Sequence, residues 1–301
     1  MFRFRSTPKE VKPSDPLKEL KTLMADPDES KMMTWMETHK YIINVKDADG
    51  FTPLILACLH EKYNVVKFLL ENNADVNARN IRGTTPFIAA VHKGNVYVAN
   101  SILNKMDVKF ASINTPKTDG YTALMIASEH GNQDMVKFLV ENGANVNAIN
   151  VERNNAIMLA SKGGHMEIVK LLAENGGQFE VQDNAGYTAL MIASLNGHQS
   201  TVNLLLDKGA IVNTINKYKD NALMLASAEG HTGVVGLLLK NGADVNARNV
   251  DRQNAIMIAS ENKKTDVVEL LKASLKKKGG TMRGPRRNKH RKLTRKRISR
   301  K

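Results

Sequence analysis

The sequence has little of the chemistry on which many folds depend. It contains one cysteine, Cys58, so no disulfide can form within the chain, which favours a reducing compartment. Aromatic residues make up 5% of the chain, so a core of large rings is not expected. No apolar run approaches the ~18–20 residues that cross a bilayer, and residues 1–16 lack the apolar stretch of a secretory signal. These absences predict an intracellular protein, cytoplasmic, nuclear or both.

Motifs for catalysis and metal binding are also missing. Phosphate-binding glycine loops, GxGxxG and HExxH do not occur, and the carboxylates are dispersed. His165, His198 and His231 recur in register, but stacked helices stand ~8–10 Å apart and zinc needs donors ~2.0–2.1 Å from one centre. We interpret them as turn-stabilising histidines, and Cys58 as a packed thiol. The sequence therefore predicts no catalytic residue, metal ligand, cofactor or small-molecule substrate, and hence no enzyme.

What the sequence does contain is one tract repeated seven times. TALMIASEHGN begins its helix at Ala123, and similar tracts follow at steps of 33 residues. Backwards along the chain, Pro86 and Pro53 hold the same place, although the step from Pro86 to Ala123 is 37 residues. Each unit reads as two short helices and a turn, which cannot bury its apolar face alone. The units must therefore stack on one another.

These tracts resemble the ankyrin repeat. The family's opening T-P-L-H-x-A survives as TPL at residues 52–54 and TPF at 85–87, its inter-helix G-H at 164–165, and its closing G-A-D-V-N at 242–246. Seven copies in phase cover residues 47–275. The resemblance implies an all-α solenoid of stacked helix-turn-helix units with short β-hairpin loops. It also implies that the chain binds proteins rather than transforming a substrate.

The helix starts agree with this register. Every first helix begins after Thr or Asn, whose side-chain oxygen accepts from a free backbone N–H. These capping residues are Thr52, Thr85, Thr122, Asn155, Thr188, Asn221 and Asn254.

One loop position divides the repeats into two groups. Four loops have glycine there, which permits positive φ: Gly50, Gly83, Gly120 and Gly186. The other three have Arg153, Lys219 or Arg252, and for these loops we predict a different turn conformation. Their cations are either solvated loop charges or a basic edge that faces a partner.

A methionine recurs where the family usually has histidine. The five residues are Met125, Met158, Met191, Met224 and Met257. Since Met fills irregular gaps, this stripe predicts packing between repeats; the alternative is an exposed binding stripe.

The remaining boundaries follow changes of composition. Residues 1–16 are predicted to be a flexible segment, and residues 17–46 a degenerate repeat whose polar outer face caps the stack before residue 47. The tail, residues 276–301, holds fourteen of the 44 Lys and Arg residues and no acid. The preceding residues therefore carry 30 basic and 30 acidic groups, and the net charge of +14 belongs to the tail.

A like-charge block of this kind is predicted to be disordered by itself. Its clusters resemble a nuclear-import signal, which an import receptor would bind, and they equally suit RNA or DNA phosphates through counterion release. Solubility alone is the third interpretation. The basic residues concerned are Lys276, Lys277, Lys278, Arg286, Arg287, Lys289, Arg291, Lys292, Arg295, Lys296 and Arg297.

The resemblance places protein partners on a concave surface formed by the hairpin tips and the exposed ends of the first helices. Residues there vary between repeats while packing positions stay constant. The candidate partner-binding residues are Phe51, Thr84, His92, Lys93, Tyr121, Glu129, His130, Asn154, Lys162, Tyr187, Leu195, Asn196, Tyr218, Asp220 and Glu229. Tyr121 and Tyr187 are candidate hot spots. The enlarged loop 105–117 is predicted to project and to contribute specificity.

The sequence thus predicts a non-enzymatic scaffold or adaptor that binds an unidentified protein on its concave surface. Two alternatives remain open. One is a nucleic-acid-associated protein that uses its tail to contact phosphates. The other is a host-directed ankyrin effector of a parasite, a bacterium or a large virus.

Overall fold

Among the residues that the structure describes, sixteen α-helices form eight consecutive pairs. The structure is a computed structural model that describes residues 17–106 and 113–279, with side chains to residue 276. No β-strand occurs in these ranges, so the predicted all-α repeat solenoid is confirmed, and its hairpin loops are turns without strands. The predicted segment 1–16, residues 107–112 of the enlarged loop and the tail beyond Gly279 lie outside the described residues.

The helices, numbered in chain order, alternate between a first and a second helix of each pair. They are α1 (Lys18–Met24), α2 (Glu29–Thr38), α3 (Pro53–Leu59), α4 (Tyr63–Glu71), α5 (Pro86–His92), α6 (Val96–Leu103), α7 (Ala123–Glu129), α8 (Gln133–Glu141), α9 (Ala156–Gly163), α10 (Met166–Glu174), α11 (Ala189–Leu195), α12 (Gln199–Asp207), α13 (Ala222–Glu229), α14 (Thr232–Lys240), α15 (Ala255–Glu261) and α16 (Thr265–Gly279).

Each first helix from α3 onward begins where its capping side chain accepts a backbone hydrogen bond. The Thr85 hydroxyl accepts from the Ile88 amide at 3.1 Å, and the Asn221 side chain accepts from the Met224 amide at 3.0 Å. All seven capping residues make the equivalent bond. The polar side chains that punctuate the sequence therefore set the helix register, as predicted.

The methionine stripe lies in the contact between neighbouring first helices. Four of its members, from Met125 to Met224, are buried, and Met191 is only 1% exposed. Met257 is 43% exposed, because within the described residues no repeat packs against the far side of α15. The packing interpretation is thus confirmed for the four inner methionines.

The N-terminal helix pair docks onto the first repeat through apolar and charged contacts. Leu17 and Leu20 are buried, and Lys21 Nζ lies 2.8 Å from the Asp47 carboxylate. The same carboxylate accepts from the Phe51 amide at 2.7 Å. Partial burial raises the pKa of Asp47, but the bonds from Lys21 and Phe51 outweigh it and hold that pKa below its usual range. The salt bridge thus joins the N-terminal helix pair to the first hairpin loop.

The hairpin loops share one internal arrangement. In six of the seven loops an Asp or Asn side chain accepts from the amides two and four residues later, as Asn80 does from Arg82 and Thr84. Neighbouring loops are joined by single backbone bonds, such as that from the Ile81 amide to the Asp49 carbonyl at 3.0 Å. The loops thus form a continuous row along one side of the stack.

The predicted difference between the two groups of loops is wrong. Arg153, Lys219 and Arg252 have φ of 65°, 60° and 60°, in the same left-handed region as the loop glycines. The Asn side chain and the bond to the neighbouring loop impose this conformation on whichever residue stands there. A residue with a Cβ pays a strain of ~1–2 kcal/mol in it.

We expect Lys219→Gly to stabilise the protein. Relief of left-handed strain exceeds the extra entropy that glycine loses on folding, so the free energy of unfolding should rise by ~0.5–1 kcal/mol in urea denaturation. The reverse change, Gly186→Lys, should destabilise, because its Cβ would lie 3.0 Å from the Asn216 Cα. A less stable Lys219→Gly variant would contradict the strain argument.

Candidate partner-binding groove

A groove of about 500 Å³ opens between the hairpin loops and first helices of the first three repeats. We call the surface formed by hairpin tips and first helices the concave face, and this cavity the groove. Its lining residues are Phe51, Leu59, Asn80, Arg82, Thr84, Ile88, Ala89, His92, Lys117, Asp119, Tyr121, Ile126, Glu129 and His130. Its volume falls in the ~300–1,000 Å³ range of ligand pockets.

The groove has a depression at its floor because one repeat has a small residue there. Four residues after each helix cap the other six repeats have Leu or Ile, whereas the second repeat has Ala89. The corresponding residues of the neighbouring repeats, Leu56 and Ile126, are buried, and both are larger. The missing branched side chain at Ala89 therefore leaves a depression between the first and third repeats.

A second departure shapes the wall of the groove. Lys117 occupies the loop position that is Asp or Asn in the other six repeats. Its ammonium group cannot accept hydrogen bonds from the loop amides, so the Asp119 carboxylate accepts one from the Tyr121 amide at 3.1 Å. The Lys117 ammonium in turn lies 2.9 Å from the Asp119 carboxylate and 5.6 Å from the centre of the Tyr121 ring. Lys117 thus turns into the groove instead of closing its own loop.

Two histidines lie at the helix-end rim of the groove. The rings of His92 and His130 stand 4.8 Å apart, edge to face, and their ring nitrogens make no hydrogen bond within the described part of the chain. Partial burial lowers the pKa of His92, and the charges of His130, Lys93 and Lys117 lower it further. Four ring nitrogens at this rim are therefore left for a ligand.

Tyr121 stands half-buried at the hairpin rim. Burial raises the pKa of its hydroxyl, and the nearby carboxylates of Glu129, Glu152 and Asp119 raise it further. The hydroxyl therefore stays protonated and able to donate. Together with Phe51 from the first repeat, Tyr121 supplies the aromatic surface of the groove.

The other set of histidines is structural, as predicted. The Nε2 atoms of His165, His198 and His231 lie 3.2, 2.9 and 3.0 Å from a carbonyl oxygen of the preceding repeat. A carbonyl only accepts, so each Nε2 is the donor. Among residues 17–106 and 113–279, no cluster of three His, Cys, Asp or Glu side chains could hold a metal ion.

Six of the fifteen candidate residues meet in the groove. They are Phe51, Thr84, His92, Tyr121, Glu129 and His130. Lys93 lies next to it, with its Nζ 3.9 Å from Glu61. The remaining eight belong to repeats four to six, further along the same face: Asn154, Lys162, Tyr187, Leu195, Asn196, Tyr218, Asp220 and Glu229.

Ala89, Asp119 and Arg82 were not predicted to lie in the site, and Lys117 was predicted only as the end of the enlarged loop 105–117. A comparison of the seven repeats, column by column, would have found Ala89 and Lys117, because each breaks an otherwise uniform column. The enlarged loop is only partly described. At its ends Met106 and Ile113 are buried, and its predicted projection stays a prediction.

Two further observations limit the chemistry of the described residues. Burial raises the pKa of the Cys58 thiol, which therefore stays protonated and unreactive. None of the described helices combines the length and apolarity that crossing a membrane requires.

A stack of paired helices with a groove between its hairpin loops and first helices defines the class of helical-repeat interaction proteins. The family model described as "Ankyrin repeats (3 copies)" matches residues 78–150, 146–216 and 211–279, and "Ankyrin repeats (many copies)" matches residues 41–104. The chain belongs to the ankyrin-repeat family. Ankyrin repeats are typically non-enzymatic interaction modules, and no catalytic family matches alongside them. Membership of this family supports, in general terms, a role as a protein-protein interaction scaffold.

Relatives come from unrelated sources. The chain is 34% identical over 119 residues to "Ankyrin repeat protein OPG189" of Variola virus, which is 37% of this chain and 21% of the viral protein. It is 36% identical over 100 residues to "Ankyrin repeat and KH domain-containing protein mask" of Drosophila melanogaster, 33% of this chain and 2% of that protein. The chain thus spans 21% and 2% of the length of these two relatives, whose shared feature is the repeat.

Proposed function

We propose that the chain is an adaptor that holds a protein partner on its concave face, with the groove of the first three repeats as the centre of contact. The observation that carries this proposal is the coincidence of two departures, Ala89 and Lys117, in one cavity. Both interrupt columns that the other six repeats keep uniform. Together the two changes give the groove a depression at its floor and a charged wall.

Along the rest of the face, half-buried Tyr187 and exposed Tyr218 extend the contact surface toward the later repeats. Tyrosine supplies apolar area together with a hydrogen-bonding group, which is why it is frequent at hot spots. The partner therefore spans several repeats, anchored at the groove and oriented by the later tyrosines.

The proposal includes a second function for the basic tail. Its fourteen basic residues follow a body whose charges cancel, so they are available for an import receptor or for a polyanion such as RNA. On this basis we propose that the protein acts inside the cell, in the cytoplasm, the nucleus or both.

Site-specific crosslinking tests the adaptor function. A photoreactive phenylalanine analogue is placed at Tyr121 or at Tyr187 of the full chain, and Tyr97 serves as the control. Tyr97 is 75% exposed on α6, a second helix away from the concave face. The two concave positions should crosslink one discrete protein in cell extract, and Tyr97 should not.

Affinity for that protein, once purified, provides the quantitative test. Tyr121→Ala should weaken binding about 30-fold, since hot-spot tyrosines contribute ~2 kcal/mol or more. Tyr97→Ala should change it less than about twofold, as near-neutral positions do. Equal losses from Tyr121→Ala and Tyr97→Ala would show that the partner does not use the concave face.

A further inference from the structure

We infer that the groove binds a partner segment in which a bulky apolar side chain stands next to a carboxylate. The apolar side chain would lie between Phe51 and Tyr121, above Leu59 and the buried Ala89, and the carboxylate would bond to His92 and His130. This inference rests on the proposed binding of a protein to the concave face, and it specifies the chemistry of the segment that binds there.

The groove exposes an apolar surface that a bulky apolar side chain would cover. Ile88, Ala89 and Ile126 are buried beneath the groove. The half-buried Phe51, Leu59 and Tyr121 supply the apolar surface that the groove exposes. A large apolar side chain would remove this surface from water at ~25 cal/mol per Å² of buried apolar area.

The charged and protonatable groups at the rim of the groove favour an acidic ligand. Arg82 makes no ion pair in the part of the chain that the structure describes, and neither ring of the histidine pair has a hydrogen-bond partner there. The acidic groups facing the pair are Asp119, which Lys117 already neutralises, and Glu129. Lys93 lies beside His92 but is paired with Glu61 at 3.9 Å, so the unpaired groups are Arg82 and the two histidines on one side and Glu129 on the other. Unpaired positive and protonatable groups therefore outnumber unpaired acids, and a carboxylate complements them.

This arrangement also predicts how affinity changes with pH. A carboxylate bound to the pair favours the protonated rings and raises their pKa in the complex. Affinity should then rise as pH falls, because binding takes up protons. The charged groups that face the pair are Lys93, Lys117, Asp119 and Glu129.

Peptide selection on the full chain tests the inference. Phage-displayed random octapeptides are panned on the immobilised protein, and enriched peptides are synthesised with a fluorescent label for anisotropy titrations. We expect enrichment of Leu, Ile, Phe or Trp next to Asp or Glu. Binding of such a peptide should weaken at least tenfold in Ala89→Leu, which fills the floor, and at least threefold between pH 6 and pH 8.

Two further variants separate binding from folding. Ile192→Leu changes the same column of a later repeat and should leave peptide affinity unchanged, and circular dichroism should show that Ala89→Leu remains folded. The double variant His92→Gln with His130→Gln, which leaves the floor untouched, should lose the pH dependence. Enrichment of basic peptides, absence of any apolar-acidic enrichment, or full affinity in Ala89→Leu would each overturn the inference.

The same experiment distinguishes the inference from the function on which it rests. If the affinity of the enriched peptides is unchanged in Ala89→Leu but falls in Tyr187→Ala, the concave face binds proteins and the inferred chemistry of the groove is wrong. If Tyr97→Ala is the variant that weakens partner binding, both are wrong.

Discussion

Replacing Met191 with lysine is expected to lower the free energy of unfolding by ~3–5 kcal/mol, one of the largest effects of any single change in the stack. The side chain is 1% exposed between α11 and the first helices on either side. The change forfeits the burial of an apolar side chain and places an ammonium group in a buried position. Urea denaturation followed by circular dichroism measures the loss.

Met257→Lys is the matched control, because it is the same change at the same repeat position. Met257 is 43% exposed, so its lysine keeps its charge in water and the loss should stay below ~1 kcal/mol. Met224→Lys separates burial from position along the chain, since Met224 is buried in the next-to-last repeat. It should behave like Met191→Lys; equal, small losses in all three variants would refute the packing role of the stripe.

The shape of the Met191→Lys transition carries additional information. Each repeat contacts mainly its neighbours, so the stability of a solenoid is close to a sum of repeat and interface contributions. A weakened central repeat uncouples the two halves of the stack, and unfolding should broaden or divide into two steps. The Met257→Lys variant, weakened only at one end, should keep the transition of the natural chain.

Local chemistry explains why so much of this fold could be predicted from the sequence. The helix starts depend on contacts within three residues, such as Thr85 with the Ile88 amide, and those contacts recur in every repeat. The burial of Met191 follows from a period that places equivalent side chains on one another. Such features depend on near neighbours and on repetition, and both can be read from the sequence.

The loops show where that reasoning fails. Residue preference predicts that Lys219 avoids positive φ, yet it adopts φ 60° because Asn216 and the neighbouring loop hold it there. The groove could not be predicted from the sequence, for the opposite reason. Repetition identifies what is common to the seven units, whereas the groove depends on two residues, Ala89 and Lys117, that differ from the rest. Their effect appears only where two separate repeats are brought side by side.

Deletion of residues 280–301 is expected to abolish binding to single-stranded RNA while leaving the stack folded. The deletion keeps α16 to its end at Gly279 and removes eleven of the fourteen basic tail residues. Because the charges of the body cancel, little of the attraction to phosphates should remain. Anisotropy of a labelled oligonucleotide should show at least a hundredfold loss of affinity at ~0.1 M salt, with a shallower salt dependence.

A scrambled tail distinguishes the interpretations of this segment. Binding through counterion release depends on the number of charges and not on their order, so a scrambled tail should keep both affinity for RNA and its steep salt dependence. An import receptor reads an ordered pattern, so scrambling should abolish nuclear accumulation of a fluorescent fusion. Loss of import with retained RNA binding would assign the tail to both roles. RNA affinity that survives the deletion with unchanged salt dependence would place the contact on the folded repeats and contradict the tail proposal.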